Sequence, residues 1–167
     1  NIYGGNNISG NIAGSTAVNL NAGNIAENGK VFGGSNGAYG CSADGKYTNY
    51  FDANANYVGL DIPTVAKTEV NASGTTMGGT VNVYAGGNLA PVSDQGVVNL
   101  LHGTMGNVFG GGRMAPVADG QIIFDPSCDA IINYVFAGND IANTTGAYST
   151  SAGYVHVQGT PTINNAV

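Results

Sequence analysis

This sequence is short of charge. Lys, Arg, Asp and Glu make up 8% of it, against about 25% in ordinary domains. Its four basic residues, Lys30, Lys46, Lys67 and Arg113, are scattered, and the formal net charge is −6. A nucleic-acid surface needs a clustered basic patch, so no nucleic acid partner is expected. No apolar run approaches the roughly 18–20 residues of a membrane helix, so no membrane span is expected either. Tryptophan is absent, and there are two cysteines, Cys41 and Cys128, too few for a disulfide framework. No window sustains a 3.6-residue apolar period bounded by helix caps, which argues against helices. The only histidines, His102 and His156, lack a partner at metal-ligand spacing. A signal peptide and an initiating Met are also missing, and the chain opens inside a repeated phrase, so it reads as a fragment or processed product of a longer precursor.

Glycine and asparagine are abundant, at 28 and 22 of 167 residues. Both disfavour helix and suit turns. Val, Ile, Leu and Phe still supply 37 residues, or 22%, just above the roughly 20% below which chains are disordered. A folded chain of this length is one domain, here a single repeat domain over residues 1–167.

One phrase recurs five times: a β-branched aliphatic, an aromatic, then small residues. It reads Ile2-Tyr3-Gly4-Gly5, Val31-Phe32-Gly33-Gly34, Val83-Tyr84-Ala85-Gly86-Gly87, Val108-Phe109-Gly110-Gly111-Gly112 and Val135-Phe136-Ala137-Gly138. The aromatics fall 29, 52, 25 and 27 residues apart. Reading 52 as two steps leaves one period of 25–29, with Tyr57-Val58-Gly59 standing near the missing copy. Each repeat also carries a second stretch of apolar–polar alternation, such as Val18-Asn19-Leu20-Asn21, Thr68-Glu69-Val70-Asn71 and Val97-Val98-Asn99-Leu100. Alternation over four or five residues is the mark of a half-buried strand.

The fold class expected is therefore all-β: a parallel β-solenoid of about six degenerate coils of 25–29 residues. Val83 would then lie beside Val108, Tyr84 beside Phe109 and Asn88 beside Arg113. Neighbouring coils lie ~4.8 Å apart, which puts Cys41 and Cys128 about 15 Å apart, beyond the ~7 Å limit for a disulfide, and predicts free thiols. The alternative is an antiparallel β-sandwich or prism of repeated hairpins. Segments such as Asn107-Val108-Phe109-Gly110-Gly111-Gly112 and Tyr134-Val135-Phe136-Ala137-Gly138-Asn139-Asp140 resemble the "NVYGGGN" repeats of glycine-rich bacterial surface proteins. That resemblance implies an adhesin-like or fibrous β-solenoid, extracellular or at the cell surface, and brings no catalytic residues.

Asp94 and Asp119 hold one repeat position at an offset of 25 and would stack about 5 Å apart, close enough to share Ca²⁺. They are equally ordinary corner residues, so no cofactor is expected apart from that calcium option. Asp52-Ala53-Asn54-Ala55-Asn56 opens like a calcium loop, but Tyr57 stands where the loop needs Gly and Pro63 where it needs Glu. The phrase aromatics Tyr3, Phe32, Tyr84, Phe109 and Phe136 form a ladder that is core if it faces inward and a platform if outward. The tyrosines Tyr39, Tyr47, Tyr50 and Tyr57 are the candidate contact surface. The expected role is a structural or adhesive module, or a filament subunit, that self-associates end to end through β-edges and is not an enzyme. The alternatives are a polysaccharide-degrading β-helix enzyme, with Arg113 and Asp119 or Asp125 and Asp129 as its candidate groups, and a non-catalytic glycan-binding module.

Overall fold

A computed structural model of the protein describes residues 1–37, 63–74, 76–141 and 152–165. The described residues are all-β with no helix. The strands are β1 (Ile2–Tyr3), β2 (Asn11–Leu20), β3 (Asn24–Ile25), β4 (Lys30–Phe32), β5 (Thr64–Ala72), β6 (Thr76–Met77), β7 (Asn82–Tyr84), β8 (Val92–Leu100), β9 (Thr104–Phe109), β10 (Val117–Phe124), β11 (Ile131–Phe136), β12 (Ala152–His156) and β13 (Thr162–Ile163).

The recurring phrase builds one sheet, in the order β1-β4-β7-β9-β11-β13. The alternating stretch builds a second, β12-β10-β8-β5-β2, and β3 pairs with β6. Each repeat thus adds one strand to each large sheet, and strand order follows chain order. All pairings among the described residues are parallel, which overturns the hairpin alternative. Parallel neighbours need a long return connection, and the passage through the opposite sheet supplies it.

Val83 lies opposite Val108 and Tyr84 opposite Phe109, as the 25-residue offset requires. Val31 and Phe32, however, lie directly opposite Val83 and Tyr84. The 52-residue interval is therefore one step rather than two. No copy at Tyr57 intervenes between these strands, and Tyr57 lies outside the described residues. Gly37 N–H still donates to Asn7 C=O at 2.8 Å, and Thr64 N–H to Gly10 C=O at 3.2 Å. Residues 38–62 thus interrupt one repeat without separating its neighbours.

Between the sheets, Val31, Val83, Val108, Met105 and Ile132 meet Val70, Val98, Leu100, Ile122 and Phe124 in the main core. At one line the sheets come closer still. Thr68 Oγ1 donates to Ala85 C=O at 2.6 Å across the interior, and Thr16 Oγ1 does the same to Gly33 C=O at 2.6 Å. In later repeats glycine takes the threonine position: Gly96 and Gly120 align with Thr68. A Cβ on Gly120 would stand 2.6 Å from Gly110 O, so only hydrogen fits there. Beside this seam the second sheet shifts register in repeat after repeat, between Ile12 and Ser15, Val65 and Lys67, and Val117 and Asp119. Such bulges bend a strand and re-aim its side chains.

Candidate functional site

Consecutive strand residues face opposite sides. Val31, Val83 and Val108 enter the main core, so Phe32, Tyr84 and Phe109 point to the other face of the first sheet, where they form a separate buried cluster. The five phrase rings make one continuous stack: Tyr3–Phe32 at 4.9 Å between centroids, Phe32–Tyr84 at 4.8 Å, Tyr84–Phe109 at 4.8 Å and Phe109–Phe136 at 5.0 Å. The strand spacing sets this distance. The ladder faces outward yet is buried along its middle. Phe136, at its end, is 38% exposed.

Tyr84 is held at its hydroxyl, which donates to Asp140 Oδ2 at 2.9 Å and accepts from Asn82 Nδ2 at 3.4 Å. Burial, with Asp140 adding to it, pushes its pKa up to about 12. Cys128 is a free, buried thiol, and burial pushes its pKa up too, which makes it a poor nucleophile. Cys41 and the tyrosines Tyr39, Tyr47, Tyr50 and Tyr57 lie outside the described residues.

Asparagine ladders run along the surface in the same register. Asn36 donates to Asn7 at 2.9 Å, Asn88 to Asn36 at 3.0 Å, and the Arg113 guanidinium to Asn88 at 3.2 Å. On the second sheet Asn71 donates to Asn19 and Asn99 to Asn71, both at 2.8 Å. Each amide uses its N–H₂ toward one neighbour and its oxygen toward the other, so every rung satisfies the next. Among the described residues no buried side-chain polar atom lacks a partner.

The carboxylate pair expected at Asp94 and Asp119 does not form. The bulge places Asp119 opposite Gln95 instead. Asp119 accepts from Gln95 at 3.3 Å and Gln121 at 2.8 Å, while Asp94 pairs with Lys67 at 3.4 Å on the surface. No group of three or more His, Cys, Asp or Glu able to hold a metal occurs among the described residues. Arg113 and Asp119 make no ion pair. Asp125 accepts from Ser127 Oγ at 2.6 Å and Ser127 N–H at 2.8 Å, which holds its pKa below the usual carboxylate range.

One contact escaped the sequence reading. His102 Nδ1 sits 2.6 Å from Asp129 Oδ1 on the exposed surface. Their separation of 27 residues is one repeat, and that was the available signal. Nearby, a groove of about 260 Å³ is lined by residues that include Asn71, Ser73, Asn99, Ile123 and Asp125. A larger groove, about 610 Å³, lies at the end of the array, where Tyr134, Val135, Phe136, Ala137, Val155 and Ile163 contribute to its walls.

β1 and β13 bound the first sheet and β2 and β12 the second, with no strand beyond them among the described residues. Ile2 is 37% exposed at one end, and Ile131 42% and Tyr154 45% at the other. No helix of the described residues is long and apolar enough to cross a membrane. No family model, curated protein or solved structure matches the chain.

Proposed function

We propose that the chain is a parallel β-solenoid serving as a structural or adhesive module, or filament subunit, of a secreted bacterial surface protein, and that it self-associates through its β-edges. The observation that carries this reading is the stacking of successive repeats in parallel, one strand of each repeat in each large sheet, with edge strands that pair on one side only among the described residues. Unpaired strand edges template the addition of further strands unless they are capped by charge, proline or a covering element. Here Ile2 marks one end, and Ile131, Phe136 and Tyr154 mark the other as exposed apolar groups. The strand order, which follows chain order in both sheets, supports a single winding. Self-satisfying asparagine ladders and a near-absence of charge suit a repeating scaffold better than a catalytic cleft. Sedimentation and electron microscopy across a concentration series test the reading. Filaments or longer oligomers that grow with concentration are expected, and monodisperse monomer at millimolar concentration overturns it.

The groove lined by Asn71, Asn99 and Ile123 supports a second reading, a non-catalytic glycan site. Amide and hydroxyl groups beside an apolar side chain match a sugar's hydroxylated edge and apolar face. A glycan array, with Asn99→Leu as the blocked variant, distinguishes this from a scaffold without ligand.

A further inference from the structure

The chain holds two Asn-Gly pairs, Asn28-Gly29 and Asn36-Gly37. An asparagine before glycine is open to an internal substitution. The glycine nitrogen attacks the asparagine Cγ, and no Cβ on the glycine obstructs it. How readily it does so depends on how firmly both groups are held, and the fold holds these two pairs very differently.

Asn36 is locked into the stack. Its amide nitrogen donates to Asn7 Oδ1 at 2.9 Å, and its amide oxygen accepts from Asn88 Nδ2 at 3.0 Å. The attacking atom is held as well, since Gly37 N–H donates to Asn7 C=O at 2.8 Å. The main chain is fixed on both sides, by Asn36 N–H to Asn6 C=O at 3.0 Å and by Leu89 N–H to Asn36 C=O at 2.8 Å. Gly37 itself is buried. Reaction there requires breaking bonds to both neighbouring repeats at once.

Asn28 stands in a tight turn just before β4. Gly29 N–H donates to Ala26 C=O at 3.2 Å, which closes the turn. Asn28 has a φ of 62°, the left-handed conformation of the third position of a type II turn. It is the one non-glycine residue with positive φ among the described residues, and asparagine is among the few that tolerate it. Its side chain is exposed and makes no hydrogen bond among the described residues. The attacking nitrogen is thus held by one long bond inside its own turn, and the amide it attacks by none.

We infer that Asn28 is a modification site at which the chain deamidates itself, while the asparagine ladder protects Asn36. Gly29 N loses its proton and bonds to Asn28 Cγ, and the amide nitrogen leaves as ammonia, giving a five-membered succinimide. Water then opens the ring. Cleavage between Gly29 N and Cγ leaves aspartate in an ordinary chain. Cleavage between Gly29 N and the Asn28 carbonyl carbon leaves isoaspartate, with the chain routed through Cβ and Cγ. One water is consumed and one ammonia released, with no change of oxidation state. Either product adds a negative charge beside Glu27, whose carboxylate already accepts from Thr80 N–H at 3.1 Å. Isoaspartate does more. Asn28 N–H donates to Thr80 Oγ1 at 2.8 Å, and Gly29 C=O accepts from Asn82 N–H at 3.2 Å. These bonds tie the turn to the next repeat, and an extra main-chain carbon between them forces one to break where β4 begins.

Peptide mapping of the folded protein, aged in mildly alkaline buffer, tests this. Trypsin cuts after Lys30 and Lys46 and so puts the two asparagines on separate peptides, residues 1–30 and 31–46. Exchange of NH₂ for OH is a mass gain that fragmentation assigns to one residue, and an isoaspartyl methyltransferase labels the isoaspartate. Each further hydrogen bond that must open is worth several-fold in rate, so Asn28 should convert at least tenfold faster than Asn36. In protein unfolded by guanidinium, where neither turn nor ladder survives, the two rates should agree within about threefold. Equal rates in the folded protein, faster conversion of Asn36, or a gain confined to another asparagine of residues 1–30 overturns the inference. A tenfold gap that persists in guanidinium also overturns it, because the difference would then lie in the flanking sequence.

Discussion

Replacing Tyr84 by Phe should make the protein less stable at neutral pH and more stable in strong alkali. The ring is wholly buried, and Phe keeps its place between Phe32 and Phe109. What changes is the hydroxyl, with its bonds to Asp140 and Asn82. Asp140 is exposed, so water takes the hydroxyl's place and the net loss near pH 8 is about 1 kcal/mol. The sign then reverses with pH. Burial first, then the hydrogen bond to Asp140 and after it the Asp140 charge, raise the folded phenol to about 12 from 10.0. A group whose folded pKa is raised contributes its full stability below the unfolded value. That contribution is lost as pH climbs through the folded one. The total loss is roughly 2.7 kcal/mol above pH 12, and about half of that by pH 11, at 1.36 kcal/mol per unit. The two proteins should therefore exchange order between about pH 10 and 11. Urea unfolding at 25 °C from pH 8 to pH 12 measures this, since other titrating groups cancel in the difference between Tyr84 and Phe. A difference that stays constant over that range would refute a buried, neutral Tyr84.

Two more outcomes follow from the packing. Gly120→Val places carbon where Gly110 O stands 2.6 Å and Ala137 O 2.9 Å from a Cβ; both are backbone and cannot swing aside, so a loss of 1–3 kcal/mol or more is expected in thermal or urea unfolding, whereas Gly14→Val, with nothing near its Cβ, should cost far less. Asn71→Leu severs the ladder on both sides, toward Asn19 and Asn99, and should cost about 1–2 kcal/mol, an effect that urea unfolding of Asn71→Leu beside a lone Asn19→Leu would resolve into its two bonds.

The parts of this fold legible in the sequence are those governed by the repeat itself. Val83 and Val108 share a phrase, a strand position and a partner, because stacking identical units in parallel aligns identical residues. The all-β character followed from the same repetition and from the scarcity of helix formers. Counting failed where the repeat is interrupted. The interval from Phe32 to Tyr84 divides neatly in two, yet pairing depends on which edges are free and ignores how much chain lies between them. Asp94 and Asp119 failed for a different reason: a one-residue bulge moved the alignment from Asp94 to Gln95, and bulges leave little trace in composition. The ladder's orientation was legible only in part. Buried aromatics read as core, whereas these rings lie on the face away from the main core, in a stacked cluster of their own. His102 and Asp129 were missed because they were weighed as isolated residues, when a 27-residue separation had already made them neighbours.

The interruption after Gly37 has a consequence of its own. The main chain leaves one repeat at Gly37 and re-enters the same repeat at Pro63, where Gly37 N–H bonds Asn7 C=O and Thr64 N–H bonds Gly10 C=O, while β4 and β7 remain in contact. The entropy of such a detour grows only with the logarithm of its length, about 0.6 kcal/mol per doubling. The corner between β4 and β5 is therefore a place where the number of intervening residues can change at little cost to the register on either side.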